Sequence, residues 1–561
     1  MTPRRVTIVT AQLLGYDRTG GVGTATTFLA LGLARSGHRV DVLYIGDARD
    51  GIDSDWARVY DEAGPTVRTV QRSSVPAEPV YFGRMRDIER ALRTEPPDVV
   101  IAHEFGAPAY AALRLRRLGL AFENTLFVVF CHGTRLWVKE MNRNERVAPA
   151  VLALARLEQA CAELADVVVS PSAYLLDWMR RRGWALPAAT RVIPLVTRTA
   201  ATGEPAPAAA EDGGAVRRIS FFGRLEERKG VEPFAAGLNA LAPELLGNVE
   251  VEFVGKTTKY WSVPRVESLL SDETRNAVRG VRFETGLDQH EALERLSRPG
   301  TLAVIPSIAE NSPNVVYECL ERRIPFRASD VGGIAELVAA EDRERVLFEP
   351  SAGGIAAALE AALTSAGALR PATPAFAGDA SRAAWDAVTA VQAPPVAAAH
   401  ELPRLGDDWA LLLREGDVPD PDLEATLARA QAVSGADVVT CGLTVDDSEH
   451  YFAGDPGGLG VLANGYGAAA LVRRALLDDG PTEWPVTGDA DWPLLARLSA
   501  RGASIVSVPL PLVRRDRRPG SLAREPSDAL LVVEEIERAL PAHLRSVARL
   551  LAGLAAGAEA R

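Results

Sequence analysis

Two glutamates eight residues apart, Glu310 and Glu318, stand in the segment IPSIAENSPNVVYECLE, where a short apolar run gives way to a helix pattern. The run ends near Ser307, and Asn311-Ser312-Pro313-Asn314 reads as a helix start, so Glu310 falls in the loop and Glu318 more than one turn into the helix. Both carboxylates can then face one ligand. A carboxylate accepts two hydroxyl hydrogen bonds, which suits a sugar ring or a ribose. The N–H groups of Asn311 to Val315 that a helix leaves unsatisfied suit phosphate oxygens. Taken alone, paired glutamates on a helix are usually a surface face.

A second cluster is cationic. FFGRLEERKG places Arg224 and Lys229 five residues apart just beyond a strand, at the carboxyl edge where open sheets bind ligands. Arginine grips two oxygens through its fork and lysine supplies a mobile charge, so the pair suits a diphosphate and the charge that grows on a departing nucleotide. Glu226, Glu227 and Arg228 share the segment, which by itself reads equally as a solvated charged turn. A third element is Gly20-Gly21-Val22-Gly23, between the first strand and the helix pattern TATTFLALGLARSG. Glycines there let a ligand approach the backbone and the new helix end favours phosphate, although a tight turn asks for the same residues.

The frame for these groups is a repeated alternation. RVTIVTAQL, HRVDVLYIG, DVVIAH, TLFVVFCHG and ADVVVSPS are Val/Ile-rich runs separated by helical patterns, the signature of a doubly wound parallel sheet covered on both faces. The pattern closes near Thr197, so residues 1–197 form one Rossmann-like domain. Residues 198–216, rich in Ala, Pro and Gly, read as a linker. The alternation restarts with RRISFFGRL and gives a second such domain over 217–375, followed by an Ala/Pro-rich linker over 376–403 with one short helical piece near Trp385. Residues 404–561 form a third, smaller α/β unit. The fold class is therefore α/β, two doubly wound domains facing across a cleft with an appended unit.

Composition excludes several classes. Lys and Arg number 62 against 74 Asp and Glu, a net charge of −12, which disfavours nucleic acid as a partner. Cys131, Cys161, Cys319 and Cys441 lie far apart, and the seven histidines show no HxxxH spacing, so neither a disulfide framework nor a structural metal is expected. No stretch reaches the roughly 18 apolar residues of a membrane span, and MTPRRVTIVTAQ runs straight into a strand, so the expected location is cytoplasmic. The Arg-rich stretches Arg114 to Arg117 and Arg180 to Arg182 leave peripheral contact with an anionic membrane open, and solvated helix faces account for them as well. The oligomeric state is not legible.

Together, GGVG, GRLEERKG and the two glutamates after an IPS strand resemble the family 4 glycosyltransferases, retaining enzymes of the GT-B fold. CHGTRLW, ADVVVSPSAYLLDW and VGGIAELV extend the resemblance over about residues 1 to 375. It implies that Arg224 and Lys229 hold the diphosphate of a nucleotide-sugar, UDP- or GDP-linked, that Glu318 binds the ribose, and that Glu310 contacts the donor sugar. It places Asn311, Ser312, Asn314 and Val315 at the donor, with Gly21, Val22 and Gly23 closing on the diphosphate from the other domain. His132, in HGT, then lies near the anomeric centre, while His103 is read as structural. Attack on the leaving-group face needs no metal and no further cofactor. The departures are Asn311-Ser312 where the family has an aromatic-glycine pair, and Pro194-Leu195-Val196 where it has Pro-Asn-Gly; they bear on donor identity. The acceptor is a small molecule or a glycan. The alternative is a nucleotide-sugar-binding scaffold subunit without turnover.

The last unit resembles, more loosely, the second half of a family 2 glycosyltransferase of GT-A type. Its nucleotide-binding half is missing, and Arg414-Glu415-Gly416-Asp417 stands where that family has its metal-binding Asp cluster, so the unit is expected to be non-catalytic. Asp489 and Asp491 match the position of that family's acidic base motif.

Overall fold

The computed structural model describes residues 2–16, 20–46, 52–143, 148–203, 214–365, 367–397, 402–414, 416–457, 460, 464–477 and 491–515. The first sheet has seven parallel strands in the spatial order Thr66–Thr69, Arg39–Tyr44, Arg5–Thr10, Val99–His103, Leu126–Phe130, Val167–Ser170 and Thr190–Val192. The inner strands Val99–His103, Leu126–Phe130 and Val167–Ser170 are buried at every position, which is why they read as continuous rather than alternating apolar runs. The second sheet has six strands, also parallel, in the order Gly280–Glu284, Glu250–Val254, Arg218–Phe222, Thr301–Ile305, Phe326–Ser329 and Leu347–Phe348.

The helix Gly21–Arg35 is buried without interruption from Ala25 to Leu33. A helix apolar on all sides must be covered on all sides. Two short helices do this, and both lie in stretches whose composition reads as linker. The helix Arg198–Thr202 starts on Thr197, whose hydroxyl accepts from the Ala200 N–H, and buries Ala200 and Ala201. The helix Ala380–Thr389 returns from the second domain and sinks Trp385 completely, edge-on to Phe130 at 4.8 Å between centroids. Asp386 of the same helix accepts from the Ser36 hydroxyl at 2.8 Å.

The third sheet is shared between distant parts of the chain. Trp409–Leu412, Ala468–Arg473, Val438–Val445 and Ser448–His450 run side by side, and Ala77–Glu78, from the first domain, pairs parallel with Ser448–His450 as the next strand. Ile505–Arg515 pairs parallel with Val438–Val445 and antiparallel with Asp417–Pro419. Leu115 and Leu118 pack in one core with Leu423, Val439 and Val513, so the appended unit has no core of its own on this side. Arg86 and Glu449 form a buried ion pair across the same seam, and Arg429 Nε donates to the Gly119 carbonyl at 2.7 Å.

This seam corrects the reading of Arg114 to Arg117 as a basic face. Arg116 is 2% exposed, donates to Asp166 Oδ2 at 3.0 Å and reaches the Pro394 carbonyl at 2.7 Å. Arg180 and Arg182 are exposed but paired, with Asp177 and Glu140 respectively. Among the described residues no helix is long and apolar enough to cross a membrane, and no group of His, Cys, Asp and Glu could hold a metal ion. The four cysteines are buried free thiols. Asp489 and Glu415 lie outside the described residues, as does the side chain of Asp491.

Candidate active site

The carboxyl ends of the two parallel sheets face each other, and the chemistry-bearing loops leave from those ends. On the donor side, the strand Arg218–Phe222 runs into a turn that closes with the short 3-10 helix Glu227–Lys229 and Gly230. Gly230 has φ +78°, and a Cβ there would stand 1.8 Å from the Pro306 carbonyl oxygen, so only glycine lets this turn press against the end of the strand Thr301–Ile305. That contact brings Lys229 and Arg228 onto Glu310. Lys229 Nζ pairs with Glu310 Oε1, Arg228 Nη1 meets Glu310 Oε2 at 3.0 Å, and the Ser307 hydroxyl donates to Oε1 at 2.9 Å.

Glu310 is 4% exposed. Burial works to raise its carboxyl, but the Lys229 and Arg228 charges outweigh it and hold the group below the usual carboxylate range. Burial pulls the Lys229 ammonium below its ordinary value, with Glu310 opposing. Arg224 differs: its side chain is 52% exposed, and its Nη2 lies 3.7 Å from where a Cβ on Gly20 would stand, so it reaches across toward the other domain.

The helix Asn314–Glu321 starts after Pro313, and its first-turn N–H groups, including those of Asn314 and Val315, find no partner within the helix itself. It faces the start of the helix Gly21–Arg35: Asn314 Nδ2 donates to the Gly21 carbonyl at 2.8 Å, and a Cβ on Gly21 would lie 2.6 Å from that nitrogen. Val22 uses its carbonyl on the Thr26 hydroxyl, and Gly23 is buried. Glu318, half-buried on the helix, accepts from Gln289 Nε2, and desolvation pushes its carboxyl up to about 7. Among the described residues no side chain hydrogen-bonds both this carboxylate and that of Glu310, but the Lys229 charge acts to lower both. Ser312 pairs with the Tyr317 hydroxyl at 2.9 Å.

Asn311 spans the cleft. Its Oδ1 accepts from Ser172, and its Nδ2 donates to the His132 carbonyl at 2.9 Å. Both ends of the amide are therefore engaged in joining the domains. His132 follows the strand Leu126–Phe130 and lies against Phe130, 4.1 Å between centroids, and His103, 4.9 Å. Its Nε2 is buried and makes no hydrogen bond among the described residues. Burial first, then His103, lowers the His132 pKa well below its usual value, so the ring is neutral. His103 is also neutral, held down to about 4 by burial, and its Nε2 meets the Thr26 hydroxyl at 2.9 Å.

Three supporting carboxylates escape sequence reading. Glu104, wholly buried, accepts the N–H groups of His132 at 2.8 Å and Gly133 at 2.6 Å on Oε1. Burial pushes its carboxyl up to about 7, with those N–H bonds opposing. Glu158, equally buried, accepts from the Gly106 N–H at 2.8 Å and the Arg135 N–H at 2.7 Å, fixing the loops on either side of Glu104. Glu336 reaches from the donor domain to the N-terminus of the helix Ala173–Arg181, accepting from the N–H of Ala173 at 2.8 Å and of Tyr174 at 3.0 Å. Arg228 is the fourth omission, a cation on the same carboxylate as Lys229.

Comparisons with known proteins agree with this architecture. The family model for Glycosyltransferase Family 4 matches residues 19–199, and that for Glycosyl transferases group 1 matches residues 216–365. No curated protein matches the sequence. Among solved structures, sucrose-phosphate synthase from Thermosynechococcus elongatus is similar at 21% identity and a TM-score of 0.50, over 68% of this chain and 96% of that one. WaaG, a glycosyltransferase involved in lipopolysaccharide biosynthesis, is similar at 16% identity and a TM-score of 0.44, over 64% and 90%. Anabaena Alr3699/HepE, solved in complex with UDP, gives 15% identity and a TM-score of 0.41, over 64% and 89%. Two facing Rossmann-like sheets, matched in order by the Glycosyltransferase Family 4 and the Glycosyl transferases group 1 models, identify the chain as a glycosyltransferase of the family 4 type with the GT-B fold.

Proposed function

We propose that the enzyme moves a sugar, with retention, from a nucleotide-sugar to an acceptor hydroxyl, and that the cleft between the two parallel sheets is its site. The observation that carries this reading is the cation cluster at the donor edge, Lys229 and Arg228 on Glu310 with Arg224 exposed beside them, set opposite two helix N-termini. Lys229 and Arg224 hold the diphosphate, helped by the N–H groups of Asn314 and Val315. Glu318 accepts the ribose hydroxyls, and Glu310 orients Lys229 and meets the donor sugar. The acceptor oxygen bonds to the anomeric carbon on the face from which the diphosphate leaves, and its proton passes to the departing phosphate oxygen. The cations and helix ends stabilise the negative charge that grows there. His132, neutral and held by Glu104, orients the reacting groups rather than moving charge.

Calorimetric titration with UDP, GDP, ADP and TDP, without added metal, tests the donor site. One nucleotide is expected to bind in the micromolar range, with at least about tenfold loss in both Arg224→Ala and Glu318→Ala. Failure of all four to bind overturns the transferase reading, whereas binding without turnover of any donor favours the nucleotide-sugar-binding scaffold. Because the empty site keeps the Glu318 carboxyl protonated up to about 7, nucleotide affinity should strengthen several-fold as the pH rises through that value. Glu318→Gln should flatten the profile, and titration on either side of neutrality reads the difference.

We further infer that the appended unit is not a second transferase site. Asp417, where a metal-binding carboxylate is expected, is buried and held by Arg515 Nε at 2.6 Å and Nη2 at 2.8 Å. Arg515 neutralises this carboxylate, whose side chain is 1% exposed, so a divalent cation would first have to displace the guanidinium.

A further inference from the structure

A cavity of about 350 Å³ lies where the appended unit meets the first domain, beside the strands Ala77–Glu78 and Ser448–His450. Its first-domain wall includes Tyr81, Phe82 and Leu157, and its other wall Tyr451 and Phe452. The two walls meet where Phe82 and Tyr451 stack, 5.8 Å between centroids and 18° between planes. Ala153 and Ala453 also face the space, and neither has a side chain large enough to fill it. Interiors normally close such voids. An open chamber lined by aromatic rings is the form that small-molecule sites take.

The polar groups around it say what it takes. Asn464 is used by its own loop: Nδ2 donates to the Gly467 carbonyl at 3.1 Å, and Oδ1 accepts from the Tyr466 N–H at 3.1 Å. Arg156 is balanced by Glu163 at 3.3 Å and Asp455 at 3.5 Å. The Tyr451 hydroxyl is bound to Glu449 at 2.6 Å, and the Ala453 carbonyl accepts from the Tyr110 hydroxyl at 3.0 Å. A sugar or a phosphate needs donors and acceptors that are not already spent on one another. These are spent; the exposed Glu78 carboxylate and the Tyr81 hydroxyl are lining groups that can still meet a ligand, so the cavity selects largely apolar surface carrying at most a hydroxyl. A void of about 150 Å³ holds one benzene ring, so this one has room for roughly two.

We propose that the seam cavity binds a neutral, flat, apolar group of about two rings, borne either by the acceptor or by a separate small molecule. The site belongs to neither unit alone, and it does not depend on the nucleotide-sugar reading. It stands close to the reaction centre through one helix: Leu157 lines the cavity, and the next residue, Glu158, holds the Arg135 N–H beside the His132 loop.

The test is titration of the full-length protein with 2-naphthol, read by the probe's fluorescence and by saturation-transfer NMR. Submillimolar binding is expected, weakened at least tenfold in Ala153→Leu and in Ala453→Leu, and unchanged in Glu318→Ala. Both filling variants must keep the wild-type melting temperature, which separates a filled cavity from a misfolded one; Tyr81→Ala serves as the second handle should either fail. No binding, or binding indifferent to the filling variants, overturns the proposal whatever the nucleotide titration shows. A second arm separates the sources. Competition between 2-naphthol and aryl-bearing alcohol acceptors assigns the ring to the acceptor; altered turnover without competition assigns it to a separate ligand. Either result places the ring in the seam.

Discussion

Lys229→Ala is expected to lower kcat by about 10²- to 10³-fold, the usual loss when one preorganised charge-stabilising donor is taken from a transition state. The lysine is 15% exposed and its ammonium sits on the Glu310 carboxylate, so it is aimed before any substrate arrives. A cation held this way in a water-poor site acts on growing phosphate charge without reorganising, which is where most of its effect arises. Its removal also leaves Glu310 with Arg228 and Ser307 alone. Lys229→Arg keeps the charge while changing its reach, and should recover part of the affinity for nucleotide but little of the rate. Steady-state kinetics with the cognate donor check this. A kcat within threefold of wild type in Lys229→Ala would remove the lysine from the reaction and leave Arg224 and Arg228 as the leaving-group cations.

The second large effect concerns the seam. Glu449 is held by Arg86, by Arg90 Nη2 at 3.2 Å and by the Tyr451 hydroxyl at 2.6 Å, with side-chain exposures of only 5% for Arg86 and 10% for Glu449. Deleting Glu449 takes from Arg86 its partner across the seam and leaves it Asp87 at 3.2 Å, so Glu449→Ala should destabilise the protein by about 1.5 to 3 kcal/mol, the range for losing a charge-assisted hydrogen bond. Burial acts to raise the Glu449 carboxyl, and Tyr451, Arg86 and Arg90 more than offset it, so its folded pKa is depressed. Its contribution is therefore full above the ordinary carboxylate value and fades as the pH falls through the folded one. Urea unfolding of wild type, Glu449→Ala and Glu449→Gln at neutral and acid pH reads both statements. A gap between wild type and Glu449→Gln that does not narrow in acid would assign the loss to shape rather than charge.

The parts of the site that were legible in the sequence are those whose chemistry is local. Arg224 and Lys229 share one turn, Glu310 and Glu318 share one loop and helix, and the glycines of residues 20–23 open the helix they permit. Glu104 and Glu158 were illegible because a carboxylate that serves backbone N–H groups 28 or 23 residues away needs no particular residue at the other end. Arg228 was hidden for a different reason: in a run of alternating charges, nothing but the fold says which cation turns inward. The same holds for the linkers. The Ala-rich segments, even with a helical piece legible near Trp385, gave no sign that Ala200, Ala201 and Trp385 cover the helix Gly21–Arg35, since helices of five and ten residues need only one buried face and a place to put it. Asn311, a departure from the family pattern, had a role that only three dimensions supply, as the amide that ties the His132 loop to Ser172 and the donor loop.

The strand Ala77–Glu78 finds its partner about 370 residues later, at Ser448–His450. A ribosome adding about 5 to 20 residues per second needs roughly 20 to 75 seconds to cover that distance. For most of that interval the strand Ala77–Glu78 has no sheet to join, and Leu115 and Leu118 stay uncovered because Leu423 and Val439 are made late in it and Val513 only after it. An unpaired edge beside bare leucines is a template for joining the wrong chain. The nascent protein is thus most exposed to aggregation after its first domain has been made, and the birth of the appended unit, rather than of either parallel-sheet domain, closes that window.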